Sequence, residues 1–451
     1  MAMRRVYSTD QDLTDRERKN LLILEAIRRQ KETTKTEISK LTKLNIVTIS
    51  NYVNHYIEEG LVVEKGFDIS GGGRRPLLLE LNPKVGYVIG LGLSMTNMVG
   101  TLTDLAGNVI ADIKREKPPV VATRNSPLSQ ESAEAIIQGL IQLAADLIAE
   151  SKVDISKVKG IGVGIPGIID EPGRTVRWTS QIGAPGKESP YDVAIAISVK
   201  DLFENRFNIP TFIENDATVA AFGVLWLGLE PGIKNLIYMY SGVGCGIIIN
   251  GEVYRGTSGG AGEVTIYDPA DERADLSLGP LKMVGLDMGM IDSAREAIAK
   301  GAQTSLKGAA DLSAKSIIES AKEGDRLAIE LVEEAGARLG VKIAFLVNFL
   351  NPEVIVIGGG MEEAGSIMLE PIKRIVKKSS FAEHAGDVRI IPSRLGENAV
   401  ALGAASLVIQ SAFAQACVQG ANHAIRTFFK KRHRIHHHAA RHTEAVVQLS
   451  V

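Results

Sequence analysis

The sequence of 451 residues has few of the features that mark secreted, metal-stapled or membrane proteins. Its two cysteines, Cys245 and Cys417, are too few for a disulfide scaffold or a four-cysteine zinc site. It contains no uninterrupted run of about 18 apolar residues, which argues against a membrane span. A secretory signal requires an apolar stretch after its basic residues, and the basic N-terminus of this chain is not followed by one. These absences predict a soluble, cytoplasmic protein that does not engage a membrane.

What is present is an ordinary globular composition, with 45% hydrophobic and 23% charged residues. The formal net charge of -2 is unevenly distributed. Residues 1–81 hold 14 Lys and Arg against 12 Asp and Glu, and residues 414–451 hold six against one, so the region between them is acidic. A mildly basic end on an acidic body suits a small nucleic-acid-binding unit, although solvated charged faces produce the same pattern.

The first 81 residues show three short helical patterns before any strand-like run. The second pattern opens with Thr34 and Glu37 at the spacing of a capping box, in which each side chain satisfies the other's backbone amide. The third extends from about 46 to 59, and Gly60 ends it. The apolar faces of the three patterns carry Leu24 and Ile27, then Ile38 and Leu41, then Ile49, Val53 and Ile57.

The other face of the third helix suits contact with DNA. Its residues are small or hydrogen-bonding and include no carboxylate: Val47, Thr48, Ser50, Asn51, Asn54 and His55. Two strand-like runs, 61–63 and 77–81, follow and enclose a glycine-rich turn with Arg74 and Arg75. This order predicts a winged helix-turn-helix that binds double-stranded DNA. The alternative is an ordinary three-helix packing unit with a solvated face.

The body, residues 82–413, contains a repeated strand–turn–strand pattern. Residues 87–104 show it first, and residues 235–253 repeat it with Asn250-Gly251 as a hairpin turn. Alternating helices and buried strands follow each copy. Two similar α/β halves with a cleft between them predict a two-lobed body whose cleft is the natural ligand site.

Several short motifs in this body match those of a known protein family. They are Gly162-Val-Gly-Ile-Pro-Gly-Ile-Ile-Asp170, Glu214-Asn-Asp-Ala217, Gly242-Val-Gly-Cys-Gly246, Gly260-Ala-Gly-Glu263 and Asn351–Gly360, preceded by Ser70-Gly-Gly-Gly-Arg-Arg-Pro76 at the wing. Together, in this order, they make the chain resemble the ROK family of bacterial sugar kinases and sugar-responsive repressors over roughly residues 20–410. The resemblance implies an α/β fold: a winged helix-turn-helix followed by a two-lobed, actin-like (ribonuclease H-like, sugar-kinase-like) body.

The resemblance also assigns ligand residues. Asp216 matches the aspartate that deprotonates the sugar hydroxyl in the family's kinases, so it is the catalytic residue if kinase activity survives. Without phosphoryl transfer it is a sugar ligand, together with Asn215 and Glu263. Because Asp216 opens a helix, the sequence predicts that its carboxylate is stabilised as the anion. The alternative for Asn215 and Asp216 is a helix cap without a ligand role.

Other family features are missing. Gly92, Ser94 and Met95 stand where the kinases carry an aspartate and two glycines of the first nucleotide loop, which predicts that ATP and magnesium are not bound. The family's zinc histidine and three cysteines align with apolar residues, so no zinc or other cofactor is expected. Those residues are Ile266, Leu276, Leu278 and Met283, with Gly279 kept and Gly285 in place of a second glutamate.

Residues 414–451 depart from the family and hold six of the eight histidines. This basic, His-rich tail is expected to be disordered, although such a run can bind metal ions loosely.

The leading hypothesis is a repressor that binds operator DNA as a homodimer or homotetramer and is released by a sugar or sugar phosphate in the cleft. The alternatives are an ATP-dependent sugar kinase with a DNA-binding head, and a ligand-free co-regulator whose body only dimerises.

Overall fold

The structure is a computed structural model that describes residues 13–67, 76–118, 130–170, 175–179, 193–230, 232–240, 244–264, 289–308 and 312–416. The chain divides into two compact units. Among the described residues, one unit contains 13–85 and 410–416, and the other contains residues between 86 and 409.

The N-terminal unit is built from three helices and a hairpin. Its elements are α1 (Asp15–Gln30), α2 (Lys35–Thr42), α3 (Ile46–Glu58), β1 (Val62–Phe67) and β2 (Leu77–Leu81). Thr34 and Glu37 form the expected capping box at the start of α2, and Thr14 and Glu17 form a second one at α1. The strands β1 and β2 pair antiparallel. Arg74 and Arg75 lie outside the described residues.

The core of this unit differs from the sequence expectation at two positions. Leu41 is 53% exposed, and Ile57 is only partly buried, while Tyr56 is fully buried. Two successive steps of four residues, from Ile49 to Ile57, drift off the face of a helix with 3.6 residues per turn, so the core of α3 is Ile49, Val53 and Tyr56. The Tyr56 hydroxyl donates to Asn20 Oδ1 at 2.8 Å, which satisfies both buried polar groups.

The body contains thirteen strands and nine helices among the described residues. The first half holds β3 (Tyr87–Leu93), β4 (Asn97–Asp104), β5 (Val109–Glu116), α4 (Gln130–Ser151), β6 (Val158–Ile165), β7 (Ile168–Ile169), β8 (Val176–Thr179), β9 (Val193–Ile197), α5 (Val199–Phe207), β10 (Thr211–Asn215) and α6 (Asp216–Gly223). The second half holds β11 (Leu236–Tyr240), β12 (Gly244–Ile249), β13 (Glu252–Val253), α7 (Met290–Ala299), α8 (Ala314–Lys322), α9 (Arg326–Leu350), β14 (Val354–Gly358), α10 (Ser366–Ser379), α11 (Ala382–Asp387), β15 (Arg389–Pro392) and α12 (Ala399–Ala414).

The two halves repeat one topology. The first sheet has the strand order β10-β6-β3-β4-β5, and the second has β15-β14-β11-β12-β13. In each sheet the first strand along the chain pairs antiparallel with the next strand and parallel with a later one. The sheet β7-β8-β9 is an addition to the first half. The two-lobed α/β architecture predicted from the internal repeat is confirmed.

Helix α12 packs directly on the first sheet. A Cβ on Gly90 would lie 2.0 Å from the Ala401 carbonyl oxygen, and a Cβ on Gly162 would lie 2.2 Å from that of Ala404. Glycine is therefore required at both strand positions. Two helical segments of the described chain, 130–151 and 396–414, have the length and hydropathy of a membrane span, but 83% of the apolar window in the second is buried within the fold. That burial is typical of a core helix.

Candidate functional site

Asn215 and Asp216 lie where strand β10 passes directly into helix α6. The Asn215 side chain caps this helix, because its Oδ1 accepts from the Thr218 N–H at 3.1 Å. Its Nδ2 donates to the Gly167 carbonyl at 3.2 Å, which ties the helix start to the turn after β6. The cap considered from the sequence is therefore present, and a sugar contact by Asn215 stays a prediction.

Asp216 is only 6% exposed, and its Oδ1 accepts from the Ala217 N–H at 2.8 Å. Burial, reinforced by the nearby negative charge of Glu263, raises the pKa of the Asp216 carboxyl to about 6. The helix N-terminus alone would lower this pKa, but desolvation outweighs the stabilisation from the Ala217 N–H. A carboxyl with a pKa of about 6 is still mainly ionised at pH 7, so the ionised Asp216 expected from the sequence stays a prediction.

Glu263 is placed by a close backbone approach. The Cys245 N–H donates to the Gly262 carbonyl at 2.8 Å, and a Cβ on Gly262 would lie 1.9 Å from the Cys245 carbonyl oxygen. Gly262 has φ of 100°, so glycine is required on both counts. Glu263 keeps accessible surface, yet the surrounding protein desolvates its carboxyl and raises the pKa. Asp216 and Glu263, here called the carboxylate pair, thus lie within electrostatic reach of each other.

A buried ion pair supports the carboxylate pair, and the sequence analysis missed its cation. Arg255 donates through Nε to Glu214 Oε2 at 2.8 Å, and its Nη2 lies 2.7 Å from the same oxygen. The other oxygen of Glu214 accepts from the Asn215 N–H at 2.9 Å. Arg255 also begins the turn that leads to Glu263, since its carbonyl accepts from the Ala261 N–H. This ion pair joins the two segments that carry Asp216 and Glu263.

Lys117 is a second cation that no sequence motif indicated. It follows β5 directly, and its Nζ donates to the Ser94 carbonyl at 3.1 Å. Burial lowers the pKa of its ammonium, while the charge of Asp216 acts in the opposite direction. The structure therefore brings a cation near Asp216 from a strand about one hundred residues earlier in the chain.

The first nucleotide loop has no room for the aspartate of the kinases. A Cβ on Gly92 would lie 2.4 Å from Val400 Cγ1 and 3.0 Å from the Ala401 backbone nitrogen. Helix α12 therefore occupies the space that a longer side chain would need. A single substitution at Gly92 cannot restore the missing carboxylate without moving this helix.

The rest of this loop is closed on itself and carries an anion. Residues 94–97, here called the first loop, form a tight turn in which the Ser94 N–H donates to the Asn97 carbonyl at 2.7 Å. The Glu397 carboxylate accepts from Asn97 Nδ2 at 3.1 Å and from Lys114 Nζ at 2.8 Å. Although Glu397 is partly desolvated, its hydrogen bond to Lys114 holds the pKa of its carboxyl below the ordinary value. A carboxylate at this position opposes phosphate binding.

Met95 fills space beside the first loop. A Cβ on Gly360 would lie 2.4 Å from Met95 Cε, so the thioether packs against this glycine. Gly360 donates its N–H to Glu362 Oε2 at 2.7 Å, and burial raises the pKa of the Glu362 carboxyl to about 7. The small pocket lined by Ser94, Met95 and Gly360 thus contains an apolar side chain, and the carboxylates of Glu363 and Glu397 also line it.

The expected zinc positions, Ile266, Leu276, Leu278 and Met283, lie outside the described residues, as do Gly279 and Gly285. Within the described parts of the chain, no group of three or more His, Cys, Asp or Glu side chains could hold a metal ion. Apolar side chains at the four positions do not fit a zinc site, which requires thiolate or imidazole donors. The loss of zinc stays a prediction from the sequence.

On helix α3, Val47, Asn51 and Asn54 are exposed, and Thr48 and Ser50 are half-buried. Asn54 Oδ1 accepts from Lys35 Nζ at 2.7 Å, which brings a cation from α2 to this face. His55 differs from the others, because its ring nitrogens lie 3.7 Å from Glu58 and 3.6 Å from Glu59. The two glutamates make the C-terminal end of this face acidic, so the N-terminal half of α3 is the better surface for DNA.

The fold defines a class of protein in which a winged helix unit precedes a two-lobed, sugar-kinase-like body. Residues 88–411 match the model of the ROK family. The chain belongs to the ROK family, in its branch of transcriptional regulators. The family and fold class predicted from the sequence motifs are confirmed.

Similar proteins include regulators of sugar metabolism. A putative xylose repressor of Caldicellulosiruptor sp. (strain Rt8B.4) is 32% identical over 403 residues, which cover 87% of this chain and 96% of the relative. The N-acetylglucosamine repressor of Escherichia coli O6:H1 is 24% identical over 82% of this chain and 87% of its own length. The crystal structure of a ROK family transcriptional regulator, a homologue of the E. coli MLC protein, has the same fold with a TM-score of 0.66 and 20% identity, covering 88% of this chain and 97% of that one.

Proposed function

We propose that the protein is a transcriptional repressor that binds operator DNA and is released when a sugar binds beside the carboxylate pair. One contrast within the body carries this proposal: Asp216 and Glu263 remain together, while Met95 and Glu397 occupy the surroundings of the first loop. Sugar binding needs the carboxylate pair. Phosphoryl transfer needs a first loop that is open and free of anions. The similarity to the xylose repressor over most of both chains supports the same function.

The N-terminal half of α3 is the surface that enters the major groove. Asn51 offers an amide that pairs with a base edge, Thr48 and Ser50 offer hydroxyls, and Val47 offers an apolar contact for a thymine methyl group. Asn54 and His55 lie nearer the C-terminal end of the helix and contact the sugar-phosphate backbone of the DNA. Arg74 and Arg75, which precede β2 in the sequence, are expected to contact phosphates.

The DNA-binding assignment is tested with Asn51→Ala. We expect operator affinity to fall roughly 10- to 100-fold, because one bidentate base contact contributes about 1–3 kcal/mol. Gln30→Ala, at the exposed end of α1, is the matched control and should bind the operator as the wild type does. Unchanged operator affinity in both Asn51→Ala and Arg74→Ala would remove the assignment of this surface.

The sugar site is tested with Asp216→Asn, which keeps the shape of the side chain and its acceptor for the Ala217 N–H. We expect normal operator affinity and a roughly 10- to 100-fold higher sugar concentration for release, because a charged acceptor of the hydroxyl is lost. Asp112→Asn, on the exposed surface of β5, is the control. Normal release of Asp216→Asn by the sugar would show that the effector binds elsewhere.

Release requires that the sugar binds the two states of the protein with different affinity. By linkage, operator DNA must weaken sugar binding by the same factor that sugar weakens operator binding. We infer a homodimer or homotetramer that binds paired half-sites spaced by about one turn of DNA or a multiple of it. Such a protein acts in the cytoplasm, where the operator is.

A sugar kinase with a DNA-binding head is the second candidate. The position of Asp216 favours it, since a buried carboxyl with a pKa near 6 is suited to general-base catalysis. The closed first loop opposes it, and we expect no ATP-dependent phosphorylation of any common hexose or pentose. Sugar-dependent ATP turnover that disappears in Asp216→Ala would establish the kinase and reject our expectation.

A further inference from the structure

The cleft contains one more charged side chain near Asp216 that the proposed function does not use. Lys117 is held to the first loop twice: its N–H donates to the Thr96 carbonyl at 3.0 Å, and its Nζ donates to the Ser94 carbonyl at 3.1 Å. The ammonium is therefore positioned by the backbone of the first loop, and it interacts electrostatically with Asp216.

The Lys117 ammonium donates to an uncharged acceptor, the Ser94 carbonyl. Among the described side chains, Lys117 forms no ion pair with a carboxylate, whereas the nearby Lys114 pairs with Glu397 at 2.8 Å. An ammonium has three N–H donors, and the Ser94 carbonyl accepts from one of them. A half-buried cation with remaining donors, close to a buried carboxylate, is a polar arrangement that a ligand hydroxyl can complete.

We propose that Lys117 is a sugar-contacting residue that, with Asp216, holds one hydroxyl group of an uncharged sugar. This inference rests on the proposed sugar-sensing function and extends it to the class of sugar. A hydroxyl is suited to such a pair, because its hydrogen donates to the carboxylate while its oxygen accepts from the ammonium. Both hydrogen bonds are charge-assisted and hence stronger than bonds between neutral groups.

The charges of the described residues select an uncharged ligand over a phosphate ester. Asp216 and Glu263 outnumber Lys117, because the other cations nearby are already paired: Lys114 with Glu397, and Arg255 with Glu214. A phosphate ester would bring a further anion into this acidic, partly desolvated surrounding, where repulsion is weakly screened. An uncharged polyol brings hydroxyls without that repulsion.

The test measures binding to the full-length protein by titration calorimetry. The ligands are D-xylose, and N-acetylglucosamine compared with its 6-phosphate ester, which keeps the same pyranose ring. The variants are Lys117→Met, which keeps the length of the side chain without its charge, and Lys200→Met as a matched control. Lys200 is also half-buried in the body, on α5, where its Nζ lies 3.7 Å from Glu204.

We expect an uncharged sugar to bind the wild type and its phosphate ester to bind at least about tenfold more weakly. Lys117→Met should weaken binding of the uncharged sugar roughly 10- to 100-fold, the usual effect of losing a charged hydrogen bond, and Lys200→Met should not. Lys117→Arg, which retains a charged donor, should recover part of the affinity. Operator affinity in the absence of sugar should be the same in all variants.

Four other results would overturn the inference in different ways. Tighter binding of the phosphate ester than of the sugar would reject the uncharged class. Equal sugar affinity of Lys117→Met and the wild type would reject Lys117 as a contact while leaving the proposed repressor intact. If no ligand binds the wild type, the sugar-sensing function itself fails. If Lys117→Met lowers the melting temperature as well, weak binding by a stably folded Lys117→Arg variant also rejects the inference.

Discussion

The carboxylate pair and the first loop differ in how their charged and polar groups are paired. At the carboxylate pair, Asp216 is buried without a carboxylate-neutralising ion pair among the described residues, while the adjacent Glu214 is fully paired with Arg255. At the first loop, the N–H groups of Ser94 and Asn97 and the Asn97 side-chain amide are bonded to other groups of the protein, and the Glu397 carboxylate is paired with Lys114. The carboxylate pair thus contains a buried carboxyl without a neutralising partner, whereas the carboxylate at the first loop has one.

This difference separates binding from catalysis. Buried carboxyls that lack a partner destabilise a fold, and they persist where a ligand uses them. A loop without a phosphate ligand can be closed by hydrogen bonds and apolar packing, and Ser94, Met95 and Asn97 form such contacts here. The body thus has a buried, unneutralised carboxyl at the proposed sugar end, and a first loop closed by hydrogen bonds at the other end.

The largest effect is expected at the ion pair that holds the sugar end. Arg255→Met leaves the Glu214 carboxylate buried and uncompensated, so the free energy of unfolding should fall by about 3–5 kcal/mol. Denaturant unfolding measures this loss. Arg326→Met removes an exposed ion pair with Glu330 on α9 and should change stability by less than about 1 kcal/mol. Equal effects of the two variants would mean that burial does not distinguish these pairs.

The next largest loss of stability is expected for Gly92→Asp. It restores the missing kinase carboxylate in sequence only, because the new side chain collides with Val400 and Ala401 of α12. We expect a loss of about 1–3 kcal/mol or more from overpacking, with no gain of ATP binding. Gly386→Ala, at a helical glycine with open space around it, is the control. A stable Gly92→Asp variant that binds ATP and magnesium would refute the closed-loop interpretation.

The pKa of Asp216 predicts a pH-dependent stability. Its folded-state pKa of about 6 lies above the unfolded value of 3.8, so the carboxyl increasingly destabilises the fold as pH rises from 3.8 through 6. Asp216→Asn should therefore be more stable than the wild type by about 1–3 kcal/mol at pH 7.5, with the gain vanishing below pH 4. Glu263 and Lys117 face the same group and must remain unchanged in this comparison. A gain that is independent of pH would contradict the raised pKa.

The smallest effect is expected at the ion pair of the first loop. Lys114 is 41% exposed and its partner Glu397 is 24% exposed, against 19% for Arg255 and 4% for Glu214 at the sugar end. Lys114→Met should thus lower stability by less than about 1 kcal/mol, measured by thermal unfolding. A loss comparable to that of Arg255→Met would mean that the first loop is as strained as the sugar end.

Much of the fold followed from local patterns in the sequence. The capping box at Thr34, the helix over Ile46–Glu58 and the repeated strand–turn–strand modules depend on short-range spacing, and the structure contains all of them. The error at Ile57 arose because a four-residue spacing was extended beyond two helical turns. The roles of Asn215, Asp216 and Glu263 remain predictions from the family motifs.

The sequence alone determined the family, the order of elements and the loss of the nucleotide-binding residues, because these depend on residue types at fixed spacings along the chain. Only the tertiary structure decided the raised pKa of Asp216, the pairing of Glu214 with Arg255, the position of Lys117 and the placement of Glu397 against the first loop. Each of these depends on desolvation or on contact between residues that lie far apart in the chain. Neither quantity leaves a local signal in the order of the amino acids.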